Sequence, residues 1–254
     1  MKISGNTVFI PAATSGIGLA LAHALADRGN TVVVGGRRTE LLEKIAADRP
    51  ELATVQIDTT DPASIRAAAA DVLARYPELD TLIAMAGIMR VEDWHHPEGF
   101  LKSAEAVVST NVLGPIRLLA AFIEHLQARP SATVITVSSG LAFAPLKATP
   151  SYNASKAAIH MLTESIRLQL ADSNIEFKEL IPPSVATDLL PGQRESSFAM
   201  PLDDFVSEVM SILESEPEAT EIQVERVKFL RYGEARGDYD KVVETLNSAD
   251  PHGN

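Results

Sequence analysis

The sequence has no cysteine, and aromatic residues make up only 5% of its 254 residues. The first absence excludes disulfide bonds, thiolate nucleophiles and cysteine-ligated metals. The second predicts a core of aliphatic side chains and alanine, in keeping with a hydrophobic content of 46%. We also find no run that approaches the roughly 20 apolar residues of a membrane span, so no membrane partner is expected.

Positive charge is scarce as well, because 22 Lys and Arg residues face 34 Asp and Glu residues and give a net charge of −12. Nucleic acid and anionic membrane surfaces are therefore not expected as partners. The segment Met1–Asn6 lacks a secretory pattern. The composition predicts a soluble, cytoplasmic protein.

Short apolar runs alternate with helical patterns along the chain, without a repeat or a low-complexity segment. This alternation predicts a parallel sheet with helices on both faces. The sequence therefore predicts a single α/β domain over 1–254, a doubly wound Rossmann-type fold. Strands are expected at 7–11, 31–35, 54–58, 81–85, 132–138 and 175–181, and helices at 16–28, 39–48, 62–75, 100–128, 151–172 and 202–215.

Two segments fall outside this alternation. The stretch 188–201 contains proline and glycine and little periodicity, so we expect a loop over the substrate site. The tail 222–254, with a helix expected at 238–246, either covers the cleft or packs on a second subunit. The apolar side chains of the loop either line a substrate pocket or pin the loop to the body, namely Leu189, Leu190, Phe198 and Met200.

A turn of small residues follows the first predicted strand. The chain reads Pro-Ala-Ala-Thr-Ser-Gly-Ile-Gly at 11–18 and then enters an Ala- and Leu-rich helix. Such a turn aims backbone N–H groups and the positive helix end at a phosphate. Glycines favour any tight turn, but their position after the first strand strengthens the prediction of a phosphate site.

The second predicted strand ends in two arginines. Gly36 is followed by Arg37 and Arg38, and no acid is present there. In dinucleotide-binding folds an acid at this point bonds the ribose 2′-hydroxyl, whereas an arginine accommodates a 2′-phosphate. The pattern favours NADP(H) over NAD(H), and the plainer alternative is a pair of solvated arginines before the next helix.

Tyr152 and Lys156 are four residues apart, and Ser139 lies thirteen positions before the tyrosine. On a helix this spacing puts the tyrosine and the lysine on one face. A nearby ammonium favours the phenolate, so we expect it to lower the tyrosine pKa from about 10. Tyr152 would then act as a general acid/base in carbonyl/alcohol interconversion, with Ser139 bonding the same substrate oxygen.

In order and spacing these motifs resemble the short-chain dehydrogenase/reductase family, from about residue 2 to about residue 190. The run 84–87 resembles the family's Asn-Asn-Ala-Gly turn, 110–112 carries the asparagine of its catalytic tetrad, and 181–187 resembles its loop beside the nicotinamide. Within the family, the chain is most similar to uncharacterised bacterial oxidoreductases tied to D-alanine lipoteichoic acid gene clusters.

The resemblance implies the site residues. The catalytic tetrad would be Asn111, Ser139, Tyr152 and Lys156, in which Asn111 holds a water that connects the lysine to solvent. It also implies a homodimer or homotetramer built on helices 100–128 and 151–172. No metal is expected. The implied cofactor contacts are Ala12, Thr14, Ser15, Gly16, Ile17, Gly18, Gly36, Arg37, Arg38, Asp58 (against adenine), Thr59, Ala86, Gly87, Tyr152, Lys156, Pro182, Val185 and Thr187.

The chain departs from the family pattern around the cofactor. Pro11 and Ala12 replace Thr-Gly, Ala84 and Met85 replace two asparagines, and Pro183 replaces a glycine. If position 12 requires a positive φ, alanine is strained there by about a kcal/mol. These changes concern cofactor affinity more than chemistry, because none touches the tetrad.

We therefore expect an NADP(H)-dependent oxidoreductase acting on a small-molecule carbonyl or alcohol, in which hydride transfer is coupled to a proton from Tyr152. A non-catalytic dinucleotide sensor or scaffold is the alternative that the departures favour. An epimerase or dehydratase is a third reading, but roughly 65 residues after Thr187 leave little room for a larger substrate domain.

Overall fold

A computed structural model describes residues 2–248 as one parallel sheet surrounded by helices. The strands are β1 (Thr7–Ile10), β2 (Thr31–Gly36), β3 (Leu52–Gln56), β4 (Thr81–Ala84), β5 (Ala132–Val137), β6 (Ile175–Leu180) and β7 (Glu221–Ile222). They pair in parallel in the order β3-β2-β1-β4-β5-β6-β7. This confirms the predicted Rossmann-type fold class.

The helices that lie between consecutive strands supply the crossovers that parallel strands require, and the last three helices follow β7. In chain order the helices are α1 (Gly16–Ala26), α2 (Thr39–Asp48), α3 (Pro62–Arg75), α4 (Pro97–Val108), α5 (Gly114–Gln127), α6 (Pro150–Gln169), α7 (Leu202–Ser215), α8 (Lys228–Arg231), α9 (Gly233–Arg236) and α10 (Tyr239–Ser248). A π-turn at Ser109–Leu113 joins α4 to α5, and 3-10 turns lie at Gly140–Ala142 and Glu225–Val227.

Two differences from the sequence-based expectations concern element bounds. The helix expected at 100–128 begins at Pro97 and is interrupted by the π-turn, and the two-residue strand β7 was not predicted because it is too short to show a period. The tail helix expected at 238–246 is α10. The end of the tail, 249–254, lies outside the described residues.

Apolar layers hold the helices on both faces of the sheet. On one face Ile10 and Val34 pack with the buried side chains of α1 and α7. On the other face Phe9 packs against Phe122 of α5, with ring centroids 5.4 Å apart. Burial of each large apolar side chain contributes about 1.5–3 kcal/mol. Because both faces of these strands are covered, their sequences are continuous apolar runs.

One helical stretch, Pro97–Gln127, is long and apolar enough by length and composition to cross a membrane, contrary to the sequence-based expectation. In the fold, Leu118, Phe122 and Leu126 of this stretch are fully buried in the core. We therefore interpret it as a core helix. Apolar side chains on its outer face remain exposed, at Leu101, Val108, Leu113 and Ile116.

The turn after β1 contains a strained residue. Ala12 has a φ of 60°, and it is the one non-glycine residue with positive φ within 2–248. In this left-handed region the Cβ of an L-residue crowds the following carbonyl oxygen, at a cost of about 1 kcal/mol. The turn is tied to β2, since the Ala13 N–H donates to the Gly35 carbonyl at 2.9 Å.

Replacing Ala12 with glycine should raise the free energy of unfolding by about 0.5–1 kcal/mol, because glycine adopts this φ without the Cβ penalty. Urea denaturation measures the change. The matched control is Ala13→Gly, which should lower stability because Ala13 is buried and does not have positive φ. A lower free energy of unfolding in Ala12→Gly would contradict the interpretation that Ala12 is strained.

Candidate active site

The carboxyl ends of the strands open into a cleft of about 810 Å³. It lies where the strand order reverses between β1 and β4, the place where open α/β sheets bind ligands. Ser139, Tyr152 and Lys156 line it, and Asn111 is buried behind its wall. The walls also hold every expected cofactor contact, namely Ala12, Thr14, Ser15, Gly16, Ile17, Gly18, Gly36, Arg37, Arg38, Asp58, Thr59, Ala86, Gly87, Pro182, Val185 and Thr187, besides Tyr152 and Lys156.

The glycine turn brings bare backbone to the cleft surface. A Cβ on Gly18 would lie 2.9 Å from the Cα of Ala13 and 2.9 Å from the sulfur of Met85, so no side chain fits there. Met85, which stands where the family has a polar residue, therefore packs against this turn. Helix α1 begins at Gly16, and the N–H groups of a first helical turn have no intrahelical partner. This end of the helix can therefore bind an anion.

The end of β2 presents two exposed arginines beside this turn. The Arg38 guanidinium donates to the Thr14 hydroxyl at 3.3 Å. The backbone carbonyl of Arg37 accepts from the Gln56 side chain at 3.2 Å, which fixes the chain where β2 ends. A Cβ on Gly36 would lie 2.3 Å from Cγ2 of Thr14, so no side chain fits here either.

Asp58 stands on the cleft wall just after β3, with its carboxylate held by Thr60. It accepts from the Thr60 N–H at 2.9 Å and from the Thr60 hydroxyl at 2.7 Å. Burial pushes the pKa of Asp58 upward, but the Thr60 hydrogen bonds and the nearby Arg37 outweigh it and hold that pKa below its usual value. The wall therefore carries a fixed, charged acceptor.

Helix α6 turns Tyr152 and Lys156 toward the cleft, yet only 6% and 4% of their surfaces are exposed. The Lys156 ammonium donates to the carbonyl of Val137, the last residue of β5, at 2.8 Å and lies 5.5 Å from the centroid of the Tyr152 ring. Ser139 follows β5, and its hydroxyl accepts the N–H of Leu141 at 3.1 Å. The end of one strand and the start of one helix thus bring the three groups together.

Burial, rather than the lysine, controls the ionisation of Tyr152. Loss of solvent raises the pKa of its phenol to about 12, against a smaller opposing effect of Ser139. Burial also lowers the pKa of Lys156 to about 8, opposed by the carboxylate of Glu179. The expectation that Lys156 lowers the tyrosine pKa is therefore wrong for the free protein, and the phenol stays protonated at neutral pH.

Asn111 lies in the π-turn and ties the loop after β4 to α6. Its Nδ2 donates to the Ile88 carbonyl at 2.9 Å and to the Ser155 hydroxyl at 3.0 Å, and its Oδ1 accepts the Ile88 N–H at 2.8 Å. Both donors of the amide are thus engaged. The water expected at Asn111 stays a prediction, and it would not bind these two N–H groups.

Glu92 is a buried carboxylate that the sequence-based reasoning missed. It accepts from the N–H of Ser151 at 3.1 Å, from the Ser103 hydroxyl at 2.7 Å and from the Trp94 indole at 3.0 Å. Burial opposes its ionisation, but these hydrogen bonds hold the pKa of Glu92 below its usual value. It therefore stabilises the start of α6, one residue before Tyr152. No local motif marks it, since its partners Ser103 and Ser151 are 11 and 59 positions away in the sequence.

Ser138 is a second missed residue, hidden by its neighbour in the Ser-Ser pair. Ser138 lines the cleft and is 1% exposed, and its buried hydroxyl has no hydrogen-bond partner among residues 2–248. A buried hydroxyl without a partner costs about 1–3 kcal/mol. It is therefore a candidate contact for a bound ligand.

The apolar residues of the loop at 188–201 divide between the two predicted roles, lining the cleft and pinning the loop to the body. Leu189 lines the cleft, whereas Leu190 and Met200 are buried and pin the loop to the body. The Met200 N–H donates to the Ser184 carbonyl at 2.8 Å. Phe198 is exposed and lies off the cleft wall.

The tail packs on the segment between Ser139 and Tyr152. Asn247 of α10 accepts the N–H of Lys147 at 2.7 Å and donates to the Pro145 carbonyl at 3.0 Å. The tail therefore supports the cleft wall from behind, since none of its described residues lines the cleft.

Comparison with known proteins identifies the family of the chain. The family model for short chain dehydrogenases matches residues 6–197. The uncharacterized oxidoreductase DltE of Bacillus subtilis (strain 168) is 35% identical over 254 residues, covering 98% of this chain and 99% of that protein. This confirms the resemblance to that group of bacterial oxidoreductases.

Solved structures share the fold over nearly the whole chain. A short chain dehydrogenase from Burkholderia cenocepacia J2315, in complex with NADP, superposes with a TM-score of 0.80 and 26% identity, covering 97% of this chain and 99% of that one. A 3-ketoacyl-(acyl-carrier-protein) reductase from Brucella melitensis, complexed with NADH, has a TM-score of 0.77 and 23% identity, covering 89% of this chain and 100% of that one. The chain therefore belongs to the short-chain dehydrogenase/reductase family and is an oxidoreductase acting on CH–OH groups.

Proposed function

We propose that the protein interconverts a small-molecule carbonyl and the corresponding alcohol with NADP(H), with Tyr152 as general acid/base. The observation that carries the proposal is the convergence of Ser139, Tyr152 and Lys156 on one wall of the cleft. A serine hydroxyl and a protonated phenol on one wall can both donate to a substrate carbonyl oxygen.

The cleft has features that fit a dinucleotide. Close approaches at Gly18 and Gly36 leave backbone bare where the start of α1 can bind a pyrophosphate. Arg37 and Arg38 lie where a ribose 2′-phosphate would be held, and Asp58 supplies an acceptor for adenine. The similar Burkholderia cenocepacia structure contains NADP and the Brucella melitensis structure contains NADH, so the choice of NADP(H) rests on the two arginines.

The chemistry follows from the ionisation of the site. In reduction the carbonyl carbon gains a hydride, which the bound dinucleotide supplies, while the C=O π electrons move to oxygen. Tyr152, which is protonated at neutral pH, donates its proton to that oxygen. Lys156 uses one of its three donors on Val137, so two remain for ribose hydroxyls. Oxidation runs the same steps in reverse.

Replacing Tyr152 with phenylalanine should lower turnover by about 10²–10⁴-fold, because the proton donor is lost while the packing of the ring is kept. NADPH binding, followed by calorimetry, should stay close to that of the wild type. Near-wild-type turnover would remove Tyr152 from the proposal. Binding without turnover in both proteins, over a broad carbonyl screen, would favour the sensor alternative.

Replacing Arg37 with alanine should weaken NADPH binding by about 10–100-fold, the loss expected for a hydrogen bond to a charged group. NADH binding should change little, because that cofactor lacks the 2′-phosphate. Arg28→Ala is the matched control, since Arg28 is exposed near the far end of α1. Equal losses for NADPH and NADH would argue against recognition of the phosphate.

We also propose that the protein forms a homodimer or a homotetramer through the outer faces of α4, α5 and α6. Several exposed apolar side chains on neighbouring helices favour a protein interface. The exposed apolar side chains on these helices are Leu101, Val108 and Ile116, together with Met161 and Leu168.

Replacing Met161 with glutamate should lower the mass measured by light scattering to that of a smaller assembly, because a charge would be buried at the interface. Phe198→Glu, at an equally exposed apolar residue away from these helices, should leave the mass unchanged. A wild-type protein that is monomeric at micromolar concentration would contradict the proposed assembly.

A further inference from the structure

A buried carboxylate lies behind the catalytic lysine, on strand β6. Side chains alternate along a strand, so Glu179 shares a face with Ile175 and Phe177, which pack in the core. The Glu179 side chain is completely buried. Because an isolated buried carboxylate is costly, its partners determine what it can do.

The partner of Glu179 is a histidine on the helix that carries the catalytic pair. Tyr152, Lys156 and His160 are spaced by four residues on α6 and therefore share one face. Both Glu179 oxygens lie within hydrogen-bond distance of the His160 Nδ1, at 2.8 and 3.1 Å. The imidazole packs edge-on against Phe143, with centroids 4.6 Å apart. The pair is thus fixed one turn beyond the lysine.

The sheet register brings this pair close to the Lys156 ammonium. Glu179 pairs with Thr136 of β5, and the next residue of β5 is Val137, whose carbonyl binds that ammonium at 2.8 Å. Burial lowers the pKa of Lys156 to about 8, and the Glu179 charge opposes this lowering. The carboxylate therefore favours the charged form of the lysine.

Three other charged groups surround the pair, namely Glu164, Glu221 and Arg231, and Arg231 is close enough to interact with the Glu179 charge. Glu164 of α6 lies 3.8 Å from the His160 Nε2 and is exposed. Glu221 of β7 is held by Arg231 of α8 through two hydrogen bonds of 2.9 Å. Donor atoms of His160, Glu179 and Glu221 lie within 4.8 Å of one another, as a metal site would require. The guanidinium already occupies the Glu221 oxygens, which disfavours a second cation there.

We propose that the Glu179–His160 pair is a positioning unit that keeps Lys156 in its ammonium form beneath Tyr152. The importance of that charge to turnover rests on the proposed function, whereas the charge itself can be measured without turnover. The hydrogen bond from the His160 Nδ1 fixes the position of the carboxylate, and the carboxylate charge in turn favours the lysine proton.

The direct test is a pH titration of the Lys156 side chain by NMR, in protein carrying carbon-13 at lysine Cε. The signal is identified by its loss in Lys156→Met. The wild-type midpoint should lie at about 8. In Glu179→Gln the midpoint should fall by about one pH unit, because removing the negative charge favours the neutral amine.

Two further variants and a control separate charge from structure. Glu179→Met also removes the charge and should shift the midpoint in the same direction, should the glutamine variant fail to fold. Glu179→Asp keeps the charge, so its Lys156 midpoint should stay close to that of the wild type. Glu164→Gln removes an exposed carboxylate on the same helix and should leave it unchanged.

The outcomes distinguish this inference from the proposed function. An unchanged midpoint in both charge-removing variants, or an equal shift in Glu164→Gln, would overturn the inference and leave the role of Tyr152 untouched. Zinc binding to the wild type that is lost in Glu179→Gln would also overturn it, in favour of a metal site. Once an active substrate is known, the alkaline limb of the kcat/KM profile of Glu179→Gln should shift to lower pH together with the Lys156 midpoint. An inactive Tyr152→Phe would still support the proposed reaction.

Discussion

The burial of Tyr152 and Lys156 is the constraint on which the rest of the site depends. A buried ammonium is tolerated only with partners, and the fold supplies Val137 at the end of β5 and Glu179 on the neighbouring strand. The parallel sheet makes this possible, because adjacent strands end at the same edge and α6 crosses above them. Glu92 then stabilises the start of that helix.

The departures from the family pattern have local structural consequences and leave the cleft intact. Ala12 keeps the left-handed turn at the cost of strain, since the N–H of Ala13 is still tied to β2. Met85 replaces a polar contact by packing its sulfur against Gly18. Pro183 lies on the cleft wall without closing it. These positions therefore weaken the case for a non-catalytic scaffold.

The fold could be predicted from the sequence because local signals were sufficient. Apolar runs separated by helical patterns specify a doubly wound sheet, and the spacing of Tyr152 and Lys156 places both on one helix face. What could not be predicted depends on contacts between distant residues. The pairing of Glu179 with His160 and the raised pKa of Tyr152 arise from burial, which no short motif encodes. The spacing correctly placed Tyr152 and Lys156 side by side, but desolvation raises the tyrosine pKa instead of lowering it.

The most direct test of this account is the ionisation of Tyr152 in the protein without cofactor, measured as the near-ultraviolet difference between wild type and Tyr152→Phe during a pH titration. The account predicts that this phenol remains un-ionised well above the ordinary tyrosine pKa of about 10, because burial raises its pKa to about 12. A phenolate at Tyr152 that forms below pH 10 would show that the lysine charge outweighs burial, and would contradict the account.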